Sequence, residues 1–132
     1  MKGAIAKAEE LAKEKDVPMA VGPSLTFASK FELQNKSWKT PGVLANAGCH
    51  VSIITDNSVI PQQYLPLCAG MAVKAAMDPF DALKASTINP AEHIGIADRV
   101  GSLEAGKDAD LVITDGSPFE VSTTVRLSLI HI

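Results

Sequence analysis

The sequence predicts an α/β chain, and three observations carry that reading. Apolar residues recur at helical spacing from Ala4 to Ala12; two short apolar runs, Pro18–Val21 and Val51–Ile54, stand between helical segments; and strand-like content takes over after about Ile96. Alternation of this kind reads as βαβ units of a parallel sheet, followed by a β appendage.

Each element has a local reason. Ala4, Ile5, Ala8, Leu11 and Ala12 share one helical face, with Lys7, Glu9, Lys13 and Glu14 elsewhere, and Asp16 ends the helix. Pro18–Val21 reads as a short buried strand stopped by Gly22-Pro23. The polar stretch Ser24–Lys39 is too long for a hairpin loop. Pro41 opens a short helix over Gly42–Ala47, which Gly48 ends as a left-handed cap. Val51–Ile54 is a second strand, ending at Thr55-Asp56-Asn57. The helix Leu65–Met77 is apolar nearly all round and is expected between other elements. Asp78-Pro79 starts another helix, with Asp78 as cap and Asp81 near the positive end of the dipole. Asn89-Pro90-Ala91-Glu92 repeats the device, with Glu92 placed for a capping box, and Gly95 stops that helix. Ala109–Thr114 is a strand, followed by a Gly116-Ser117-Pro118 turn and a further strand-like run.

Composition narrows the function. The 132 residues carry 12 Lys+Arg and 15 Asp+Glu, a formal charge of −3, which is not the clustered basic balance of a nucleic-acid-binding protein. Hydrophobic content of 46% excludes general disorder. Cys49 and Cys68 make no disulfide framework and read as small hydrophobes. Met1–Lys15 has no signal-peptide pattern, and Pro66, Gly70 and Lys74 interrupt the most apolar stretch. The expectation is a soluble cytoplasmic protein, with neither nucleic acid nor membrane as partner. Leu127–Ile132 resembles one reading frame of a transposon end used in preparing sequencing libraries. On that reading the segment, His131 included, is a scar without function; the alternative is a real apolar strand.

Gly101–Asp108 matches G-x-x-x-x-G-K but puts Asp108 where a phosphate loop needs Ser or Thr, and it precedes a strand rather than following one. It reads as a turn, with Gly106 at positive φ and Lys107 and Asp108 solvated. Asp56 is the residue placed for chemistry, because ligands of parallel α/β folds gather where strands end. A carboxylate there can bind a divalent metal and accept a proton from water. The plain alternative is a Thr-Asp-Asn turn in which Asp56 caps the next segment of chain; Asn57 and Ser58 share that ambiguity. His50 stands at the far end of its strand, and His93 reads as structural. Trp38 and Lys39 read as surface residues or as the wall of a pocket.

Several segments together resemble the amidohydrolase superfamily, in particular its imidazolonepropionase-like enzymes. They are Val21-Gly22-Pro23, Gly48 through Asp56, the helix Pro66–Met77, Thr87-Ile88-Asn89-Pro90-Ala91, and Arg99 through Val112 with its G-S-L-E-A-G-K-D-A-D-L-V run. The resemblance implies the C-terminal part of a (β/α)8 TIM-like barrel over residues 1–96, Pro18–Gly22 being strand seven and Val51–Ile54 strand eight. Residues 97–126 then return the chain into a small β-sandwich domain, and 127–132 are the scar. It also implies a metal-dependent hydrolase of a cyclic amide, amide or dipeptide-like C–N bond. Asp56 would be metal ligand and general base, Asn57 and Ser58 substrate-side candidates, the metal zinc, and the parent enzyme a homo-oligomer.

The departures from that pattern are explicit. The family's His-x-His pair and its further histidine ligands are missing, so the chain reads as a fragment that is inactive alone, or as a non-catalytic module that completes a sheet with another chain. Ala76 stands where the family has Gly, with overpacking the expected cost. His93 replaces an aliphatic residue and threatens an unsatisfied imidazole.

Overall fold

A computed structural model describes residues 2–13, 17–27, 31 and 36–130, and in Lys2–Ala6 the backbone alone. The elements are α1 (Lys2–Ala12), β1 (Met19–Val21), α2 (Thr40–Asn46), β2 (Val51–Ile53), α3 (Leu65–Lys74), α4 (Pro79–Lys84), α5 (Ile88–His93), β3 (Leu111–Thr114) and β4 (Val125–Leu129). The expected helix end at Asp16 lies outside the described residues.

β1 and β2 pair in parallel, Met19 with Val51 and Val21 with Ile53, so both strands leave the sheet at the same end. The Met19 N–H donates to the His50 carbonyl and the Ile54 N–H to that of Val21, each at 3.0 Å. A side chain on Gly22 would collide with the Ile54 carbonyl, so only glycine lets the chain turn away so close to β2. All three residues of β2 are buried, but Ala20 in β1 is exposed, against the expectation of a buried strand. The reason is that β2 is the only strand beside β1 among the described residues.

The core gathers Ile53, Ile60, Cys68, Ala69, Ala72, Met77, Ala82 and Ala85. The run of small residues lets α3 lie against α2, α4 and β2. Asp78 caps α4 as expected, accepting hydrogen bonds from the backbone N–H of Phe80 and Asp81, an arrangement typically stabilising by about 1 kcal/mol. Gly48 and Gly95 stand at positive φ behind α2 and α5. Cys68 is buried and Cys49 half-buried, both free.

The expected capping box at Asn89 is not found. Asn89 lies inside α5, whose N-terminal flanking residue is Thr87, and its Nδ2 donates across to the Val51 carbonyl at 2.7 Å. Glu92 instead reaches His50 Nε2 at 2.8 Å. An open β2 carbonyl and an imidazole competed for these polar groups, and they won over the local cap.

α3 ends at Lys74, short of Met77, because Ala76 takes φ 78° and reverses the chain. Ala76 is exposed, so the cost of replacing glycine there is left-handed strain rather than overpacking. His93 Nδ1 lies 2.7 Å from Ser52 Oγ, and its ring meets that of His50 edge-on at 4.5 Å between centroids. Its buried Nε2 has no partner among the described residues, as the replacement of an aliphatic residue threatened.

The β appendage is a separate two-stranded antiparallel sheet, Leu111 opposite Leu129 and Ile113 opposite Leu127. Leu127–Leu129 therefore stands in a strand, a conformation compatible with either origin of those residues; His131 and Ile132 lie outside the described residues. The Gly101–Asp108 segment is the expected turn, with Gly106 at φ 94°. Its Lys107 is not solvated: only 13% of the side chain is exposed, and its Nζ meets Glu104 at 3.2 Å and Ser102 Oγ. The Ser102 hydrogen bond, then Lys107, hold the Glu104 carboxyl below its ordinary range. Asp108 is likewise covered, pairing with Arg99 at 2.7 Å. The sequence around this turn is charged throughout, and only ion pairing within the turn separates covered charges from solvated ones.

Two measurements check these points. Ala76→Gly is expected to stabilise the chain by about 1 kcal/mol, raising the melting temperature by about 3–5 °C. Burial, and then the neighbouring His50 charge, push His93 below its ordinary pKa, with Glu92 opposing. The unfolded chain therefore binds the His93 proton at higher pH than the folded one does. The His93 contribution to stability is intact above about pH 6.5 and is lost as pH falls through the lowered value. In denaturant titrations between pH 7.5 and 5, His93→Gln, which keeps an acceptor for Ser52 without titrating, is expected to flatten the decline.

Candidate functional site

Two ends of the β1–β2 sheet hold chemistry-bearing side chains. At the amino end stand His50, His93, Ser52 and Glu92, beside a cavity of about 270 Å³ that includes Cys49, His50, Asp81, Lys84 and Asn89. These groups largely satisfy one another, and each bond ties α5 to β2 or to the residue before it. Such interlocked contacts at the amino end of parallel strands read as stability rather than catalysis.

At the carboxyl end the chain leaves β2 through Ile54 and buried Thr55 into a tight turn. The Val59 N–H donates to the Asp56 carbonyl at 2.7 Å and the Ile60 N–H to the Thr55 carbonyl at 3.2 Å. Ile60, 4% exposed, anchors the turn in the core. Between these anchors Asp56 is held at φ 52°, exposed to solvent. A left-handed non-glycine residue costs energy, and Asp bears it better than most. Among the described residues no hydrogen bond uses the Asp56 carboxylate, so the capping alternative finds no contact to rest on. Asn57 and Ser58 follow it, both exposed. Strained, exposed polar residues at a strand end are the pattern of a working site.

The chain leaving β1 lines a larger cavity of about 480 Å³ with Ser24, Thr26, Phe27, Lys36 and Trp38. Trp38 is thus a pocket residue, its Nε1 donating to the Ser24 carbonyl at 2.7 Å; Lys39 is exposed and lies outside that lining. The sequence signal for this wall was the long polar stretch Ser24–Lys39 with its lone tryptophan, which spacing alone does not resolve into a pocket. Among the described residues no group of three or more His, Cys, Asp or Glu side chains is placed to hold a metal ion. Asp56 offers one carboxylate, and on its own it does not make a metal centre. No helix among the described residues is long and apolar enough to cross a membrane.

Comparison with known proteins agrees with this architecture. Residues 4–129 match the model of the Amidohydrolase family. The chain belongs to the amidohydrolase family. It is 34% identical to the imidazolonepropionase of Thermoplasma volcanium over 110 residues, covering 79% of this chain and 26% of that one. Among solved structures it is similar to an amidohydrolase from Thermotoga maritima MSB8, with a TM-score of 0.85 and 38% identity, over 93% of this chain and 32% of that one. It is similar also to a zinc-bound adenosine deaminase from Xanthomonas campestris, with a TM-score of 0.59 and 25% identity, over 83% of this chain and 26% of that one. The chain spans about a quarter of the length of the Thermoplasma relatives it matches. These neighbours imply a fold of the TIM-barrel type, of which the chain is a small α/β part.

The strained turn carries its own test. Asp56→Gly relieves the left-handed backbone and is expected to raise stability by about 1 kcal/mol in thermal melts. A fall in melting temperature instead would mean that the Asp56 side chain holds the turn together, as the capping alternative requires.

Proposed function

We propose that this chain carries the catalytic carboxylate of a metal-dependent amidohydrolase that cleaves a C–N bond in a cyclic amide, amide or dipeptide-like small molecule. The observation that supports it most is the exposed, left-handed Asp56 at the carboxyl end of buried β2, in a chain of this family. In this reading β1 and β2 are strands seven and eight of the barrel within residues 1–96. Residues 97–126 return the chain to the small β domain, and 127–132 are a scar.

The metal, zinc in this proposal, would be held by Asp56 together with ligands that the described residues do not supply. When bound, it would lower the pKa of water toward roughly 7 and polarise the scissile carbonyl. Asp56 accepts the proton of the hydrolytic water as its oxygen bonds to the carbonyl carbon. It then returns that proton to the leaving nitrogen as the C–N bond breaks, so protons balance over the cycle. Asn57 and Ser58, next along the turn, are the substrate-side donors of the proposal. The two parallel strands among the described residues cannot close a barrel, so in this reading the chain alone is not a complete enzyme.

A second reading rests on a different observation: Val112, Ile113, Val125, Leu127 and Leu129 of the β3–β4 hairpin are exposed, an apolar surface that suits a module completing a sheet with another chain.

One experiment separates the two. This chain replaces the matching third of the Thermotoga amidohydrolase, and hydrolysis of amide substrates is measured with zinc. The chimera is expected to turn over, its Asp56→Asn variant to lose about 10²–10⁴-fold in kcat, and the 132-residue chain alone to show no activity. An Asp56→Asn chimera as fast as its parent, or turnover by the isolated chain, overturns the proposal. A folded, metal-loaded chimera that is inactive would leave the sheet-completing module as the better account.

A further inference from the structure

Two imidazoles meet at the amino end of β2, where an apolar residue in place of His93 would leave no polar atom unsatisfied. Three side-chain ties hold α5 there, on the strand or on the residue before it. Asn89 Nδ2 donates to the Val51 carbonyl at 2.7 Å, His93 Nδ1 lies 2.7 Å from Ser52 Oγ, and Glu92 meets His50 Nε2 at 2.8 Å. The two rings stand in the same seam, their centroids 4.5 Å apart and their planes at 81°. All of these residues lie in the continuous described stretch 36–130. We propose that the His50–His93 pair is an acid-released latch, which holds α5 on β2 while His93 is neutral and lets it go when both rings are charged.

The geometry makes the two rings unequal. A charge on His50 meets the Glu92 carboxylate. A charge on His93 faces the His50 ring and places an N–H at buried Nε2, which has no partner among the described residues. Even the neutral His93 ring leaves that nitrogen unsatisfied, so the tie has little margin and one further proton undoes it. The charged groups packed nearby do not offset this. Asp81 and Lys84 of α4 line the cavity beside His50, but they pair with each other at 2.6 Å. Lys7 and Glu10 of α1 pair likewise at 3.0 Å, and Arg99, beyond α5, pairs with Asp108. β1, β2 and α2 carry no charged side chain, and burial pushes the Cys49 thiol up, which keeps it neutral. Burial, then the His50 charge, push His93 below its ordinary range, against Glu92 and the His50 backbone. The released ring therefore takes up its proton at higher pH than the latched one. The latch is complete above about pH 6.5 and is lost as pH falls toward the lowered value. β2 is the strand whose carboxyl end carries Asp56, so acid loosens the support of that turn without acting on Asp56 itself.

Amide hydrogen exchange of the 132-residue chain, corrected for the pH dependence of chemical exchange, reads the latch directly. Between about pH 6.5 and 5.5 the protection of residues 88–96 is expected to fall by up to about fivefold, the limit for one proton taken up on release. Protection of α4 is expected to stay constant over the same range. His93→Gln and His93→Leu, neither of which titrates, are expected to hold α5 equally at both pH values. His50→Gln removes the repelling charge and is expected to make the fall smaller. Each variant is first shown to be folded by its α4 protection at about pH 7.5. Protection of α5 that is constant with pH in the unaltered chain overturns the proposal. So does a fall that survives both His93 variants, one undiminished in His50→Gln, or one shared equally by α4. The exchange needs neither metal nor turnover, so it succeeds or fails independently of the hydrolytic reading.

Discussion

The parallel pairing of Met19–Val21 with Val51–Ile53 is the constraint on which the rest depends. Parallel neighbours send their following loops to one end of the sheet, so the pairing decides that the Asp56 turn and the Trp38 pocket share an end. The pairing is held from three sides. Gly22 admits the Ile54 carbonyl against its backbone, the Asn89 amide donates to the Val51 carbonyl, and the Ile53 N–H donates to the Ala85 carbonyl at 2.9 Å. These bonds hold in place a short strand that is buried along its whole length, and that rigidity is what allows the next residues to be strained.

The two ends of the sheet divide the labour. At the amino end polar side chains bond one another: Ser52 with His93, His50 with Glu92. At the carboxyl end Asp56 makes no such bond among the described residues and sits at φ 52° in solvent. Burial of Thr55 and Ile60 on either side anchors the turn that carries Asp56. A group that must meet a metal or substrate cannot be satisfied by its own fold, and this asymmetry is the physical mark that separates the two ends.

Much of this was legible in the sequence where the signal is local. Asp78-Pro79 announces its helix because the cap and the fixed proline φ act within one turn, and Val51–Ile54 announces a strand by its β-branched apolar run. Asn89 misled, since Asn before Pro is an equally good cap signal and only the open Val51 carbonyl decides otherwise. Lys107 misled for the same reason: a lysine in a glycine turn reads as solvated until Ser102 and Glu104 close over it. Ala76 departs from the family pattern in the sequence itself, but its left-handed φ and its exposure belong to the fold. Asp56 was readable by position alone; its strain and its lack of partners were not.

The most direct test is a crystal structure of the zinc-loaded chimera with the metal located by anomalous scattering. An Asp56 carboxylate oxygen is expected about 2.0–2.2 Å from the zinc, at the carboxyl end of the β1–β2 pair. A zinc fully coordinated by other residues, with the Asp56 carboxylate beyond bonding distance, would contradict the catalytic role given to Asp56.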